Sequence, residues 1–200
     1  MRSKSIMATI EDIKKLRDET GVSPVEIKKA LAESGDDVER AKELLRMWGK
    51  KVAGKKTDRE AMQGLVDYYL HPTGKTGVLL DIRCETDFVA KSPDFRTLAH
   101  EICLQIAAMK PLFVSESDIP AEFLDGETKI YTEQLKDSGK PEAIVKQILE
   151  GKINKYKESV SLLSQPWVKD DSRTIKGLIE ETTSRVGEKI EVKKFARYEI

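Results

Sequence analysis

A stretch in the middle of the chain, residues 78–92, changes abruptly from a strand pattern to a helix-start pattern. In its first part, alternate side chains are apolar: Val78, Leu80, Ile82 and Cys84. An apolar side of this kind must be buried, which makes this part a strand of a packed sheet. Beyond it, Thr86 can cap a helical turn, and Asp87 suits the positive end of the helix dipole. The sequence therefore predicts a strand-to-helix corner that carries Phe88 and Val89.

The first 50 residues carry the start and stop signals of three short helices. Thr9 begins a variant capping box for the first helix, which ends at Gly21. Ser23, followed by a proline and three residues later by a glutamate, begins the second. Asp36 caps the third, which ends before Gly49. Three such helices predict a compact bundle that resembles a ubiquitin-associated domain.

Residues 49–60 are rich in Lys and Gly and have no apolar period, so they are predicted to be a linker. Gly49, Gly54 and Lys55 nearly spell a phosphate-binding loop. Lys56 takes the place of the required Ser or Thr, however, and the stretch follows a helix instead of a strand. We therefore reject a nucleotide site here.

The rest of the chain alternates between a few strands and longer helices. Residues 65–69 are rich in strand formers, and turn residues 71–77 join them to the central strand as a hairpin. A helix is predicted for residues 93–109, and a second runs from Pro120 to the turn at 138–141. A third runs from that turn to Gln165, with Gly151 dividing it in two. A fourth runs from a cap at Ser172 to Gly187. The buried side of the first of these is predicted as Phe95, Leu98, Ile102, Ile106 and Met109. Residues 189–200 alternate as a last strand.

These elements predict an α+β fold, in which an N-terminal three-helix bundle is followed by a core with a small antiparallel sheet packed by helices. Antiparallel pairing is favoured because helices do not alternate with strands as a parallel sheet requires. The predicted domains are a bundle over residues 8–49, a linker over 50–60 and an α+β core over 61–200.

Composition excludes several classes of function. The 35 Lys and Arg residues balance 35 Asp and Glu residues, so no global charge draws the chain to nucleic acid or to an anionic membrane. No run of about 18 apolar residues is present, and the N-terminus lacks the apolar part of a secretory signal. We expect a cytoplasmic protein without a membrane partner.

The sequence offers no recognisable catalytic or metal-binding constellation. Cys84 and Cys103 lie within apolar patterns and are predicted to be buried, reduced thiols. Neither His71 nor His100 has a second His or Cys at metal-ligand spacing. We therefore expect no enzyme activity, no metal and no cofactor.

Several segments in the right order resemble the elongation factor Ts family. The order Thr86, Asp87, Phe88, Val89 at the corner is the first of them. The others are residues 13–21 with 28–31, 162–171, 186–190 and 195–198. One departure is the turn at residues 22–25, Val-Ser-Pro-Val, where the family usually has a small, Met-containing turn.

The resemblance implies a guanine nucleotide exchange factor that promotes GDP and Mg²⁺ release from elongation factor Tu. It implies that Thr86, Asp87, Phe88 and Val89 contact the partner, whereas the pattern alone favours Phe88 as a core residue. Long family members carry a second, related core half that this chain is too short to hold. We therefore expect two copies to associate.

Two other functions remain open from the residues. The first is a non-enzymatic adaptor that binds another protein through the N-terminal bundle. The second is an RNA-binding protein that uses residues 50–56, which the neutral net charge and the few aromatic residues make less favourable.

Overall fold

The protein is described here by a computed structural model over residues 9–54, 56, 58–136 and 141–200. Its helices are α1 (Ile10–Thr20), α2 (Pro24–Ser34), α3 (Val38–Gly54), α4 (Asp87–Ala90), α5 (Pro93–Met109), α6 (Ala121–Leu135), α7 (Glu142–Val160) and α8 (Ile175–Val186). Its strands are β1 (Gln63–Leu70), β2 (Thr76–Cys84), β3 (Pro166–Trp167), β4 (Asp170–Thr174) and β5 (Ile190–Glu199). The predicted α+β fold is confirmed.

The larger sheet has the strand order β1-β2-β5, with β2 at its centre. The hairpin between β1 and β2 is closed by a hydrogen bond from His71 N–H to the Thr76 carbonyl, at 2.9 Å. At the other side of β2, Ile200 N–H donates to the Lys75 carbonyl at 3.0 Å, so the end of β5 lies beside the start of β2. Both pairings are antiparallel, as predicted.

A second sheet, formed by β3 and β4, was not predicted. The two strands pair antiparallel, with Trp167 opposite Asp170. Sequence reasoning placed a helix cap at Ser172, but this residue lies inside β4, and α8 begins only at Ile175. The Arg173 guanidinium lies 4.6 Å from the centre of the Trp167 ring. This cation–π contact, together with the Asp170 pair, favours the short hairpin over a longer helix.

The chain divides into two compact units, each described by itself. Unit 1 comprises the described residues of 1–65, 83–98 and 177–191. The bundle α1–α3 belongs to it and encloses a core of Leu16, Ile27, Ala30, Leu31, Ala41 and Leu45. The caps predicted at Thr9 and Ser23 are present, since their hydroxyls accept the N–H groups of Asp12 and Glu26. The cap predicted at Asp36 is wrong: Asp36 is left-handed at the end of α2, and the Asp37 carboxylate accepts the Arg40 N–H at 3.0 Å to begin α3. The three-helix arrangement is therefore confirmed.

Unit 2 comprises residues 66–82, the described part of 99–176, and 192–200. Its fully buried apolar side chains are Leu80, Ile82, Ala99, Ile102, Cys103, Ile106, Leu162 and Ile175. Buried Gln105 and Gln165 bond to each other at 3.1 Å, and Gln105 also accepts the Val168 N–H at 2.9 Å. Because a buried amide needs partners, these bonds fix Gln165 just before β3 and Val168 in the turn between β3 and β4.

Three predicted helix features are wrong. α3 continues past Gly49 to Gly54, and α7 continues through Gly151, which faces open space. A glycine inside a helix costs only about 1 kcal/mol, which neighbouring packing can offset. Met109, predicted to face the core, lies at the end of α5 and is 41% exposed.

Some predictions fall partly outside what the structure describes. Residues 138–140 of the turn before α7 and Lys55 of the rejected phosphate loop lie outside the described residues, as does residue 8 at the start of the predicted bundle. The division into a bundle, a linker and a core stays a prediction. Among the described residues, no helix has the length and apolar character that crossing a membrane requires.

Candidate functional site

The predicted strand-to-helix corner is present at the end of β2. Thr86 is extended, with φ −125° and ψ 159°, and its hydroxyl accepts the Val89 N–H at 3.4 Å. The four-residue helix α4 follows, and Ser92 then accepts the Phe95 N–H at 3.3 Å to begin α5. The chain thus turns from a strand into two successive helices within about ten residues.

Phe88 is 83% exposed. Val89 is half-buried and Ala90 is buried, so the turn rests on Ala90 and points Phe88 outward. The interpretation of Phe88 as a core residue is wrong, because the core phenylalanine of this region is Phe95, which is fully buried. Burying a phenylalanine side chain stabilises a fold by about 1.5–3 kcal/mol. The exposed Phe88 ring does not contribute this stabilisation to the free protein.

Asp87 is also exposed, and its carboxylate accepts a hydrogen bond from Lys91 Nζ at 2.7 Å, one helical turn later. This bond, and the positive charge of Lys91, hold the pKa of Asp87 below its ordinary value of 3.8. The carboxylate is therefore ionised at neutral pH, beside the exposed Phe88 ring.

A set of hydrogen bonds, here called the strand-end clasp, ties the corner to the segment before β5. Its members are Glu85, Thr86, Glu188 and Lys189. The Glu188 carboxylate accepts the Thr86 N–H at 2.9 Å and the Thr86 hydroxyl at 2.7 Å. In the opposite direction, the Glu85 carboxylate accepts the Lys189 N–H at 2.7 Å. The corner is thus held from outside as well as by its own cap.

The clasp is reinforced at Glu85 by the guanidinium group of Arg59. The Arg59 guanidinium lies 3.3 Å from the Glu85 carboxylate, and Lys189 Nζ donates to the Arg59 carbonyl at 2.9 Å. The Lys189 N–H bond first, and then the Arg59 charge, lower the pKa of Glu85 below 4.5. Sequence reasoning missed both glutamates. The only available signal was their position, each just outside the end of a predicted strand.

The thiols are placed for structure and not for reaction. Cys84 Sγ donates to the Thr86 carbonyl at 3.1 Å, which adds a further support under the corner. Burial, and then the negative charge of Glu188, raise the pKa of Cys84 to about 11, and burial raises that of Cys103 to about 12. Since the thiolate is the reactive form, neither is a nucleophile at neutral pH. The prediction of buried, reduced cysteines is confirmed.

A cleft in unit 2 contains charged side chains that pair with each other. This cleft, of about 510 Å³, is lined by Lys110, Arg197 and Glu199 among others. Glu199 forms ion pairs with both cations, at 2.7 Å from Lys110 Nζ and 2.9 Å from Arg197 Nη1. In the part of the chain that the structure describes, no three His, Cys, Asp or Glu side chains are grouped to hold a metal ion.

Comparison with known proteins identifies the family. The family model described as Elongation factor TS matches residues 2–200. The chain belongs to the elongation factor Ts family. Elongation factor Ts of Coprothermobacter proteolyticus is 49% identical over 186 residues, which are 93% of this chain and 94% of that protein. The protein of that name from Thermotoga petrophila is 48% identical, over 94% of this chain and 94% of its own length. The one from Rubrobacter xylanophilus is 45% identical, over 97% of this chain and 100% of its own length.

The resemblance predicted from the sequence is thereby confirmed, and with it a role as an elongation factor in protein synthesis. Because the match extends over nearly the whole length of these elongation factor Ts proteins, it includes the bundle, the corner and the last strand alike. The contacts of the Val-Ser-Pro-Val turn at residues 22–25 remain a prediction.

Proposed function

We propose that this protein is the guanine nucleotide exchange factor of elongation factor Tu and promotes release of GDP and Mg²⁺ in the cytoplasm. The observation that carries the proposal is Phe88, which is 83% exposed on a turn held by a cap and by the clasp. A large apolar side chain presented on a well-supported turn is the arrangement of a contact residue. Family membership supplies elongation as the process.

The proposed mechanism requires binding without covalent chemistry. An exchange factor must bind the nucleotide-free partner more tightly than the GDP-bound partner, because a ligand shifts an equilibrium only by its differential affinity. By reciprocity, GDP also weakens the complex of the two proteins. Phe88 would fill a space in the partner that is open only when nucleotide has left, and its burial there would stabilise the open state.

The neighbouring residues have separate parts in this proposal. Thr86 holds the turn, and Val89 extends the apolar contact beside Phe88. Asp87 presents an ionised carboxylate next to the ring, which can repel a phosphate or compete for the Mg²⁺ that the nucleotide binds. Release of that cation would weaken GDP binding further.

The decisive experiment measures release of fluorescent GDP from loaded elongation factor Tu after addition of this protein and excess unlabelled GDP. We expect the release rate to rise with protein concentration until it saturates. An adaptor that binds through the bundle alone would form a complex without changing this rate, and that outcome would replace the proposal. Ile130→Ala, on the exposed side of α6, serves as a control for loss of a surface apolar side chain.

We also propose that two copies associate. β1 exposes Val66, Tyr68 and Leu70, and β2 exposes Leu79, so the sheet of unit 2 presents several large apolar side chains to solvent. Exposed apolar area of this kind is typical of an interface. Sedimentation velocity should show a dimer at micromolar concentration, and Tyr68→Lys should give a monomer. A monomer at all concentrations for the parent protein would rule the association out.

A further inference from the structure

Two chain segments meet beyond the sheet because β2 and β5 are antiparallel neighbours. The residues that follow β2 therefore lie beside those that precede β5. Gly187, in the left-handed conformation at φ 80°, ends α8 and turns the chain toward this point. Glu188 is the next residue, and its carboxylate reaches the corner. Its two hydrogen bonds to Thr86 join residues 102 positions apart in the sequence, and the Glu85–Lys189 bond beside them joins residues 104 positions apart.

We propose that Glu188 is a positioning residue for exchange: it fixes Thr86 and, through Thr86, the direction in which Phe88 projects. This inference rests on the proposed exchange function, since it assigns a task to a residue that supports the same turn. Glu188 need not touch the partner. It acts on the partner only through the orientation of the ring.

The hydrogen-bond inventory of Thr86 explains why the carboxylate matters. A threonine hydroxyl has one proton to donate and two lone pairs that accept. The hydroxyl donates this hydrogen bond to Glu188 Oε1 at 2.7 Å, so that a lone pair of the hydroxyl oxygen remains directed toward the Val89 N–H. Without Glu188 the hydroxyl is free to rotate and donate elsewhere, so the Val89 N–H loses its fixed acceptor.

The cap is too weak to hold the turn by itself. The bond from the Val89 N–H to the Thr86 hydroxyl is 3.4 Å long, beyond the usual range of about 2.7–3.2 Å. A helix of four residues also gains little from its own hydrogen bonds, because helix nucleation is unfavourable. By contrast, the two bonds to Glu188 are short and have an ionisable acceptor, which makes them the stronger supports.

The test compares Glu188→Gln and Glu188→Ala with Glu180→Ala. Glu180 lies on α8, and no hydrogen bond or ion pair of its side chain is found within the described chain, so its loss matches the change in charge without touching the corner. Gln keeps one acceptor oxygen of the two that Thr86 uses, and Ala keeps neither. We therefore expect a graded effect, small for Gln and larger for Ala, with the control equal to the parent protein.

Two measurements are made on each variant. Amide hydrogen exchange at Thr86 and Val89, followed by NMR in the free protein, should become about tenfold faster in Glu188→Ala. GDP release stimulated by that variant should slow by about five- to tenfold, while its melting temperature stays near that of the control. Unchanged amide exchange, or unchanged GDP release beside an impaired Phe88→Ala variant, would overturn the positioning role.

The double variant Phe88→Ala/Glu188→Ala separates positioning from a general structural effect. Once the ring is gone, only the smaller contacts proposed for Asp87 and Val89 still depend on the orientation of the turn, so the second change should slow release by less than about twofold beyond Phe88→Ala alone. If the double variant slows release by the product of the two single factors, the effects are independent, and Glu188 does not act through the orientation of Phe88. If Phe88→Ala alone releases GDP at the parent rate, the proposed function of the turn fails as well, and this result is distinct from failure of Glu188 alone.

Discussion

Replacement of Phe88 by alanine tests the proposed exchange site most directly. The ring is 83% exposed, so the folded protein loses little packing when it is removed. Surface substitutions away from caps and buried groups change the free energy of unfolding by no more than about 0.5 kcal/mol. The Phe88 backbone and the Thr86 cap remain in place. The change therefore removes the proposed contact to the partner without altering the corner.

The expected size follows from the energetics of interface anchors. Truncation of a buried aromatic anchor costs about 2 kcal/mol or more at a protein interface. An energy of about 2 kcal/mol corresponds to roughly a 30-fold change in an equilibrium or rate. The half-buried Val89 keeps part of the apolar contact. We therefore expect stimulated GDP release to slow by at least about tenfold with Phe88→Ala.

The assay titrates each variant against elongation factor Tu loaded with fluorescent GDP and fits the rate at saturation and the concentration for half-effect. Circular dichroism and thermal melting check the fold, and Phe88→Leu tests whether apolar volume alone is sufficient. Asp87→Ala should have a smaller effect than Phe88→Ala. Release at the parent rate by Phe88→Ala would refute the wedge role of the ring, and a much lower melting temperature would show that the ring supports the fold.

Three further predictions concern stability. Phe95→Ala removes a fully buried side chain from α5 and should lower the free energy of unfolding by about 3–5 kcal/mol, measured by urea denaturation, whereas an effect below about 1 kcal/mol would contradict the assignment of this residue to the core. Gly21→Ala should lower the free energy of unfolding by about 1 kcal/mol or more, because the φ of Gly21 is +67° and the new Cβ would meet the Arg185 side chain. Combining it with Arg185→Ala should restore part of this loss in the same assay. Glu199 has a pKa lowered from 4.5 to about 2 by Arg197 and then Lys110, so its contribution to stability is present above about pH 4.5 and disappears as the pH falls toward 2. The difference in melting temperature between the parent and Glu199→Gln should therefore shrink over that range, and a difference independent of pH would refute the ion pairs.

Helix starts could be predicted at three hydroxyl caps because the signals there are local, whereas the caps placed at Asp36 and Ser172 are wrong. At Thr9, Ser23 and Thr86 the hydroxyl accepts an N–H group three residues later, and both partners stand within one turn of the sequence. The capping rules therefore need no knowledge of the fold. The end of α3 shows the limit of such rules. Gly49 reads as a stop signal, but it is buried, and a Cβ built on it lies 3.5 Å from Ser184, 135 residues away by the numbering.

The candidate site was predictable in position and not in geometry. The alternation of β2 and the cap at Thr86 located the corner, and the resemblance to elongation factor Ts selected its four residues. Whether Phe88 faces the core or solvent is undetermined by periodicity, because a turn of four residues is too short to define an apolar side. The bond from Thr86 to Glu188 joins residues 102 positions apart, and only the pairing of β2 with β5 brings them together.

The clasp and the exposed ring are two parts of one requirement. A flexible turn that became ordered only on binding would pay about 1–2 kcal/mol of free energy in conformational entropy for each backbone residue it fixes. Over a turn of four residues this cost would exceed the roughly 2 kcal/mol that one aromatic anchor contributes. Thr86, Glu188 and Glu85 fix the turn in the free protein by hydrogen bonds that do not involve Phe88. The free energy of burying the ring is then available to stabilise the open state of the partner. A corner supported from its flank can therefore leave its largest side chain in solvent, and this separation of support from contact suits the exchange role proposed for the turn.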